Sequence, residues 1–463
     1  MEKVLLTDSA FALHKRLFSL AIPMILSNVT VPLLGMVDTA VIGHLPHAYY
    51  LGATTIGATI ITFITWLCGF LRMSTTGLTA QSVGRSDAND NLLILLRGLS
   101  VAGLIGLLLI SLKTPYINLG LQVSGGSSIV QYYAQQYCAI RIFGIPAALA
   151  NLVLVGWLLG NHKSAIVMWL VMLTNALNVL LDLLFVLVLH WNVAGVAWAT
   201  LLAEYTGLLV GLFTVYRFYR HILKTQAMKV WLKLIVDLSS LTLFFKLNRD
   251  ILIRTLCLQA TFIFITFQGA RLGDQILAAN AILLNFLLLI AFGLDGVANA
   301  TEVMVGNARG RNNRQLLLAC VKVSLFYTAI LALLYSALFA VFGEQLISLI
   351  SSLPRVNSIA NHYLVWVIIL PLIACWCYAF DGIYIGLMQA SIMRNSMFIA
   401  TFVCFFPLWY MLKASGNHAL WAALVGFMVA RGALLAGHFF RYYMPSAFND
   451  EVGEVFVPSK LSD

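Results

Sequence analysis

Six carboxylates fall within or at the ends of long apolar runs: Asp38, Asp182, Glu204, Asp295, Glu302 and Asp381. An acid at the centre of a bilayer costs roughly 2.5–3.5 kcal/mol, so each should face protein or water. Asn175, Asn178 and Asp182 recur at i, i+3 and i+7, on one face of a helix. An amide both donates and accepts, so two amides satisfy the acid in either protonation state. Thr200 and Glu204 share a face, as do Asp295, Asn299 and Glu302. Glu204 and Glu302 lie nearer the ends of their runs and suit interfacial solvation. Pro23 precedes Asp38 on the same run; proline removes a backbone donor, so the helix can bend there. Such groups suit the reversible gain and loss of charge. A free aspartate titrates near 3.9, so a proton carrier working near neutrality needs about 4 kcal/mol of desolvation or like-charge repulsion.

The elements that hold these acids must lie in lipid. Of 463 residues, 61% are hydrophobic and only 10% charged, with mean hydropathy +0.91. A soluble chain is nearer half apolar and a quarter charged. The excess excludes a disordered chain, a disulfide scaffold, a collagenous repeat and an ordinary cytosolic enzyme. Twelve apolar runs are expected to span, near 17–42, 51–83, 91–112, 128–159, 165–189, 193–218, 248–270, 275–306, 315–342, 357–389, 393–412 and 418–440. A β-barrel would show short alternating segments instead. No cleavable signal peptide is evident. With the N-terminus inside, 18 Lys and Arg fall on inside segments; the outside ones carry only Lys113, Arg271, Arg355 and Lys413. Both termini are therefore expected in the cytoplasm, and the net charge of +10 reflects basic loops rather than nucleic-acid binding. The seven cysteines read as small buried hydrophobes, and Cys375 and Cys377 lack partners for a metal.

The longest charged connection, about 217 to 249, divides the spans six and six. The expected units are an N-terminal lobe (1–219), a basic linker (220–247), a C-terminal lobe (248–442) and a polar tail (443–463). Lys229 to Ile235 reads as an amphipathic segment for the anionic inner leaflet. The halves resemble one another. Thr79-Ala-Gln-Ser-Val-Gly84 and Thr301-Glu-Val-Met-Val-Gly306 close spans 2 and 8; Pro146, Gly156 and Gly160 in span 4 match Pro371, Gly382 and Gly386 in span 10. Six spans per half insert the same way up. The fold class is thus an all-α integral membrane protein: twelve transmembrane helices in two six-helix lobes, related by a pseudo-two-fold axis along the membrane normal, with a cavity between them.

Pro23, Val31-Pro-Leu-Leu-Gly-Met-Val-Asp-Thr-Ala-Val-Ile-Gly43 and Thr79-Ala-Gln81 resemble the multidrug and toxic compound extrusion (MATE) transporters. Leu71 to Gln81, Leu247 to Ile251 and Asn417 to Trp421 are similar to the DinF branch. The resemblance covers essentially the whole chain. It implies an alternating-access exporter with an ion site in the N-terminal lobe built from Asp38, Asn178, Asp182 and Thr200, with Asn175 on the same face, Asn151 lining the same cavity and Pro23 as the hinge. NorM-type members place a glutamate in the middle of span 7; here Ile251 to Ala270 contains no carboxylate, and Gln259 is expected as the main polar residue. Asp295, Glu302 and Asp381 remain as secondary candidates in a depleted C-terminal site. The implied function is antiport of cationic or amphiphilic organic compounds against protons. Sodium coupling, and lipid-linked glycan flipping by the wider superfamily, are the alternatives. The chain is expected in the bacterial inner membrane as a monomer in contact with lipid, without cofactor, metal or nucleic acid. Enzyme motifs of the His-Glu-x-x-His, Gly-x-Ser-x-Gly and P-loop types are absent from the sequence. A channel reading is disfavoured because duplicated bending helices suit occlusion.

Overall fold

A computed structural model describes residues 10–43, 45, 47–124, 127–225, 238–351 and 353–444. Among the described residues all regular structure is helical, as lipid requires of a chain that must satisfy its own backbone. The N-terminal lobe contains α1 (Ala10–Gly43), α2 (Ala48–Leu67), α3 (Phe70–Arg85), α4 (Ala88–Ser111), α5 (Lys113–Ser124), α6 (Ser128–Arg141), α7 (Ile145–Gly160), α8 (Ser164–Asp182) and α9 (Asn192–Thr225). The C-terminal lobe contains α10 (Leu238–Arg271), α11 (Asp274–Gly310), α12 (Arg314–Ile350), α13 (Pro354–Gly386), α14 (Ala390–Ile399), α15 (Phe406–Leu412) and α16 (Asn417–Tyr443). Eleven stretches are long and apolar enough to cross a bilayer, and α1, with 34 residues, makes the twelfth span.

Several spans are interrupted. The second is two helices, α2 and α3, parted at Cys68 and Gly69. The fourth turns 3₁₀ at Ile142–Gly144, just before Pro146, which has no N–H for the ladder. The fifth and eleventh each carry a six-residue π-helical stretch, Leu183–Val188 and Ala400–Phe405. By contrast α1 runs through Pro23 and Pro32 without a break. The ends of α9 and α10 extend into the expected 220–247 linker. The amphipathic segment from Lys229 to Ile235 and the tail beyond 444 lie outside the described residues.

The duplication is legible in the backbone. Ser86 (φ 59°) and Asn312 (φ 53°) take the left-handed conformation at the ends of α3 and α11, and His162 (φ 59°) and Met388 (φ 58°) do so after α7 and α13. Each closes its helix with the same pair of reverse bonds; Lys163 N donates to Leu158 O at 2.9 Å, for example, and Gln389 N to Tyr384 O at 3.0 Å. Asp87 and Asn313 then cap the following helices by accepting from Asp90 N and Leu316 N, both at 2.9 Å. These four turns define one end of the bundle, the basic face, with Arg85, Lys163, Arg311 and Arg314.

The lobes meet tightly in the half of the bundle next to this face. A Cβ on Gly84 of α3 would strike the Asn307 carbonyl of α11, and one on Gly310 would strike the Gln81 carbonyl. Gln81 Nε2 also donates to Gly386 O at 2.8 Å. One apolar core runs through the N-terminal lobe and on into this half of α11, α12 and α13, whereas the far half of the C-terminal lobe has a separate core. Gly156 and Gly160 seat span 4 on span 2, and Gly382 and Gly386 seat span 10 on span 8, so close packing accounts for the matched glycines.

At the basic face Arg16 Nη2 donates to His162 Nε2 at 2.8 Å. Burial, then Arg16, Arg311 and Lys163, holds the His162 imidazole well below its ordinary value. The folded chain therefore forgoes a proton that the unfolded chain binds below about pH 6.5, so the stability this site contributes is complete above that pH and declines as pH falls through it. His162→Asn keeps the left-handed backbone tolerable and removes the titration. It should flatten the fall in melting temperature of the detergent-solubilised protein between neutral and mildly acidic pH; an unchanged slope would remove His162 from that role.

Candidate functional site

Asp182 ends α8 and is fully buried. With its amide oriented to satisfy both neighbours, Asn178 donates to Asp182 Oδ2 at 2.9 Å and accepts from the Thr200 backbone N–H at 3.2 Å. The i, i+4 spacing on α8 and the packing of α8 on α9 set that chain of bonds. Asp38 of α1 meets it from the other side: its carboxyl lies within hydrogen-bonding reach of that of Asp182. Asp182 Oδ1 has no other partner. Four of the residues expected at the ion site therefore come together.

The remaining N-lobe candidates sit nearby in other roles. Asn175 donates to Thr30 Oγ1 of α1 at 2.9 Å, tying α8 to α1 just above Pro23. Asn151 spends its amide on the Glu204 carbonyl at 2.9 Å and is not on the cavity wall. Glu204 is not an interfacial acid: Arg141 grips both its oxygens at 2.8 Å, with side-chain exposures of 9% and 18% for the pair. A planar fork matched to a carboxylate is the arrangement that makes such a buried pair tolerable.

Asp38 also faces a cavity of about 540 Å³ between α1, α2, α6 and α10, in the half of the bundle away from the basic face. Thr54, Thr55, Thr59 and Thr62 of α2 line it, with Phe63, Trp66 and Tyr137. Gln259 reaches it from α10, and its Nε2 is buried there without a partner. The cavity wall thus combines one acid, hydroxyls, aromatic rings and an amide contributed by both lobes.

The C-terminal lobe corrects the expected depletion. From Ile251 on, span 7 has no carboxylate, and Asp250 at its start is paired with Arg394 at 2.7 Å; the chief polar residue of the span is Arg254, not Gln259. Arg254 and Arg431 both donate to Asp381 Oδ2, the latter at 2.6 Å, joining α10, α13 and α16. Asp295 lies within electrostatic range of both arginines and of Arg72. Glu302, 1% exposed, is likewise no interfacial residue; Arg72 of α3 crosses the lobe boundary to stand 4.0 Å from it while donating to Asn299 at 2.9 Å. Arg72, Arg141, Arg254 and Arg431 are absent from the expected site set. The signal for them was the one that exposed the acids, since an arginine in an apolar run carries the same insertion cost.

Removing one partner from a buried ion cluster leaves the other charge uncompensated, at about 3–5 kcal/mol. Asp381→Asn should therefore lower the melting temperature sharply. Adding Arg254→Gln and Arg431→Met to it should restore most of the loss. A neutral Asp381→Asn would show that the cluster is not held by charge.

Comparison with known proteins agrees with this architecture. The MatE family model matches residues 23–184 and 251–411, once in each half. The chain is 43% identical over 429 residues to DNA damage-inducible protein F of Escherichia coli (strain K12), covering 93% of this chain and 92% of that one. It is 24% identical to the probable multidrug resistance protein NorM of Acinetobacter baylyi, covering 89% and 92%. Among solved structures, a MATE transporter in complex with MaD5 superposes with TM-score 0.83 at 18% identity, covering 96% of this chain and 99% of that one. A MATE structure in the straight conformation gives TM-score 0.81 at 19% identity, covering 95% and 99%. Twelve spans in two duplicated lobes, and a family match in each half, make this chain a member of the MatE family of multi-pass membrane transporters, in its DinF branch.

Proposed function

We propose that this transporter exports cationic or amphiphilic organic compounds in exchange for protons, and that the Asp38–Asp182 pair carries the proton. One observation carries the reading: Asp38, half-buried on the cavity wall, interacts directly with the carboxyl of the fully buried Asp182. Two carboxyls share a hydrogen bond only when one holds a proton, and two ionised ones repel. The pair titrates as a unit. Asn178 serves either state, because its amide donates to an ionised Asp182 and its carbonyl stays anchored on Thr200.

The basic face is read as cytoplasmic, by the positive-inside rule, with both termini on that side of a bacterial inner membrane. The cavity then belongs to an outward-facing state whose cytoplasmic half is closed by the seam between α3 and α11. In this outward-facing arrangement the pair is read as sharing one proton and keeping one negative charge, and a second proton arriving from outside neutralises it. The helix α1 bends at Pro23, where a ladder bond is missing, and the cavity loses both volume and attracting charge, so substrate leaves. The seam opens, the proton departs inward and a new substrate enters. The driving force is about 1.4 kcal/mol per pH unit and about 2.3 kcal/mol per 100 mV for each charge moved. The C-terminal cluster supports proton rather than sodium coupling, because Arg254 and Arg431 already act on Asp381 as tethered cations. Relatives named as multidrug resistance proteins support the substrate class.

Proteoliposomes with an imposed pH gradient test this reading. The wild type should extrude a fluorescent cationic dye, and Asp38→Asn should abolish gradient-driven efflux while retaining dye binding. Pro23→Ala should bind dye but transport it slowly. Undiminished transport by Asp38→Asn would sink the carrier role, and efflux that follows a sodium gradient alone would replace the proton with sodium.

A further inference from the structure

We infer that the cavity chooses among cations by their N–H groups: α2 presents a row of hydroxyl acceptors that favours primary and secondary ammonium groups over quaternary ones. This rests on reading the cavity as the substrate site, and it adds which cations that site takes.

Thr55, Thr59 and Thr62 recur at i, i+4 and i+7 on α2, and all three line the cavity with Thr54 beside them. At 1.5 Å per residue the row is about 10 Å long. A threonine hydroxyl has one proton and two lone pairs. The protons of Thr54, Thr55 and Thr59 are already committed one turn back, to the carbonyls of Tyr50, Leu51 and Thr55 at 2.9, 2.8 and 2.8 Å. What these three hydroxyls offer a ligand is therefore acceptor capacity alone. Asp38 adds a carboxyl from α1 at the same wall. The back-bond by itself is ordinary: Thr206 and Thr214 on α9 make it too, away from this cavity. The three on α2 differ in lining a cavity, open on one side, that the Asp38 carboxyl also lines.

Phe63, Trp66 and Tyr137 attract any cation through their ring faces, so they do not discriminate. The hydroxyl row does. An N–H cation donates to the lone pairs it covers. A quaternary ammonium covers the same lone pairs with methyl groups and leaves them without water or a donor. The apolar effect alone has the opposite sign, because methylation makes the cation easier to take from water.

The test is calorimetric binding of 1-naphthylmethylammonium and its N,N-dimethyl and N,N,N-trimethyl derivatives to the detergent-solubilised full chain at mildly alkaline pH. The primary amine should bind about tenfold more tightly than the quaternary one, with the dimethyl compound between, a ratio equivalent to about 1.4 kcal/mol. Thr55→Val with Thr59→Val should level the series, and Thr55→Ser with Thr59→Ser, which keeps the acceptors, should preserve the order. A quaternary compound that binds as well as the primary one, or an order unchanged in the valine variant, overturns the inference and leaves the exporter reading standing. Failure of all three to bind, with Asp38-dependent dye efflux intact, overturns the inference alone; failure of binding and efflux together overturns both.

Discussion

Two acids in contact inside a lipid-embedded body impose a condition on everything around them. Asp38 and Asp182 belong to different helices, so their contact joins α1 to α8 alongside the bonds of Asn175 to Thr30 and Ser164 to Ser19. Lipid cannot stabilise either ionised form, and the protein must supply every compensating group. It does so unequally. Asp182 has Asn178, and through it Thr200, as a fixed cradle. Asp38 has the cavity. The pair therefore joins a rigid wall to an accessible space, the arrangement a carrier needs if protonation is to be felt as movement.

The other buried acids obey the same condition differently. Glu204 is matched by Arg141 within the N-terminal lobe, and Asp381 by Arg254 and Arg431 within the C-terminal one. These pairs carry their own neutralisation and have no need of a visiting ion. Glu302 is intermediate, since Arg72 reaches it from the opposite lobe. Its compensation thus depends on the lobes being together at the basic face. Among the described residues, Glu204, Asp250 and Asp381 each have an arginine partner within their own lobe, whereas the partner of Glu302 comes from the other lobe.

Much of this was legible in the residues alone. Lengths of apolar runs fixed the spans, because a bilayer admits few alternatives, and the matched glycines and motifs exposed the duplication. Helical spacing put Asn178 and Asp182 on one face, the family resemblance added Thr200, and Pro23 with Asp38 on the first span pointed to α1. Partners were harder to see. Asp381 looked isolated because a carboxylate was sought in span 7, where the compensating group is the arginine Arg254. Glu204 and Glu302 looked solvated because distance from a span end was used in place of a partner. The division of the second span at Cys68 and Gly69 has no periodicity to announce it, since both sides remain apolar. The unbroken course of α1 through two prolines is a property of the conformational state, which spacing does not encode.

The seam where Gly84 and Gly310 lie against opposing main chain has a kinetic consequence. Backbone against backbone offers no rotamers that could slide, tilt or partly withdraw. Such a joint behaves like a lapped plank: it is shut or it has come away, with nothing stable in between. In the proposed cycle, leakage of ions through a half-parted molecule would be suppressed by this geometry rather than by any plug, and the turnover rate would inherit the cost of separating the whole strip at once.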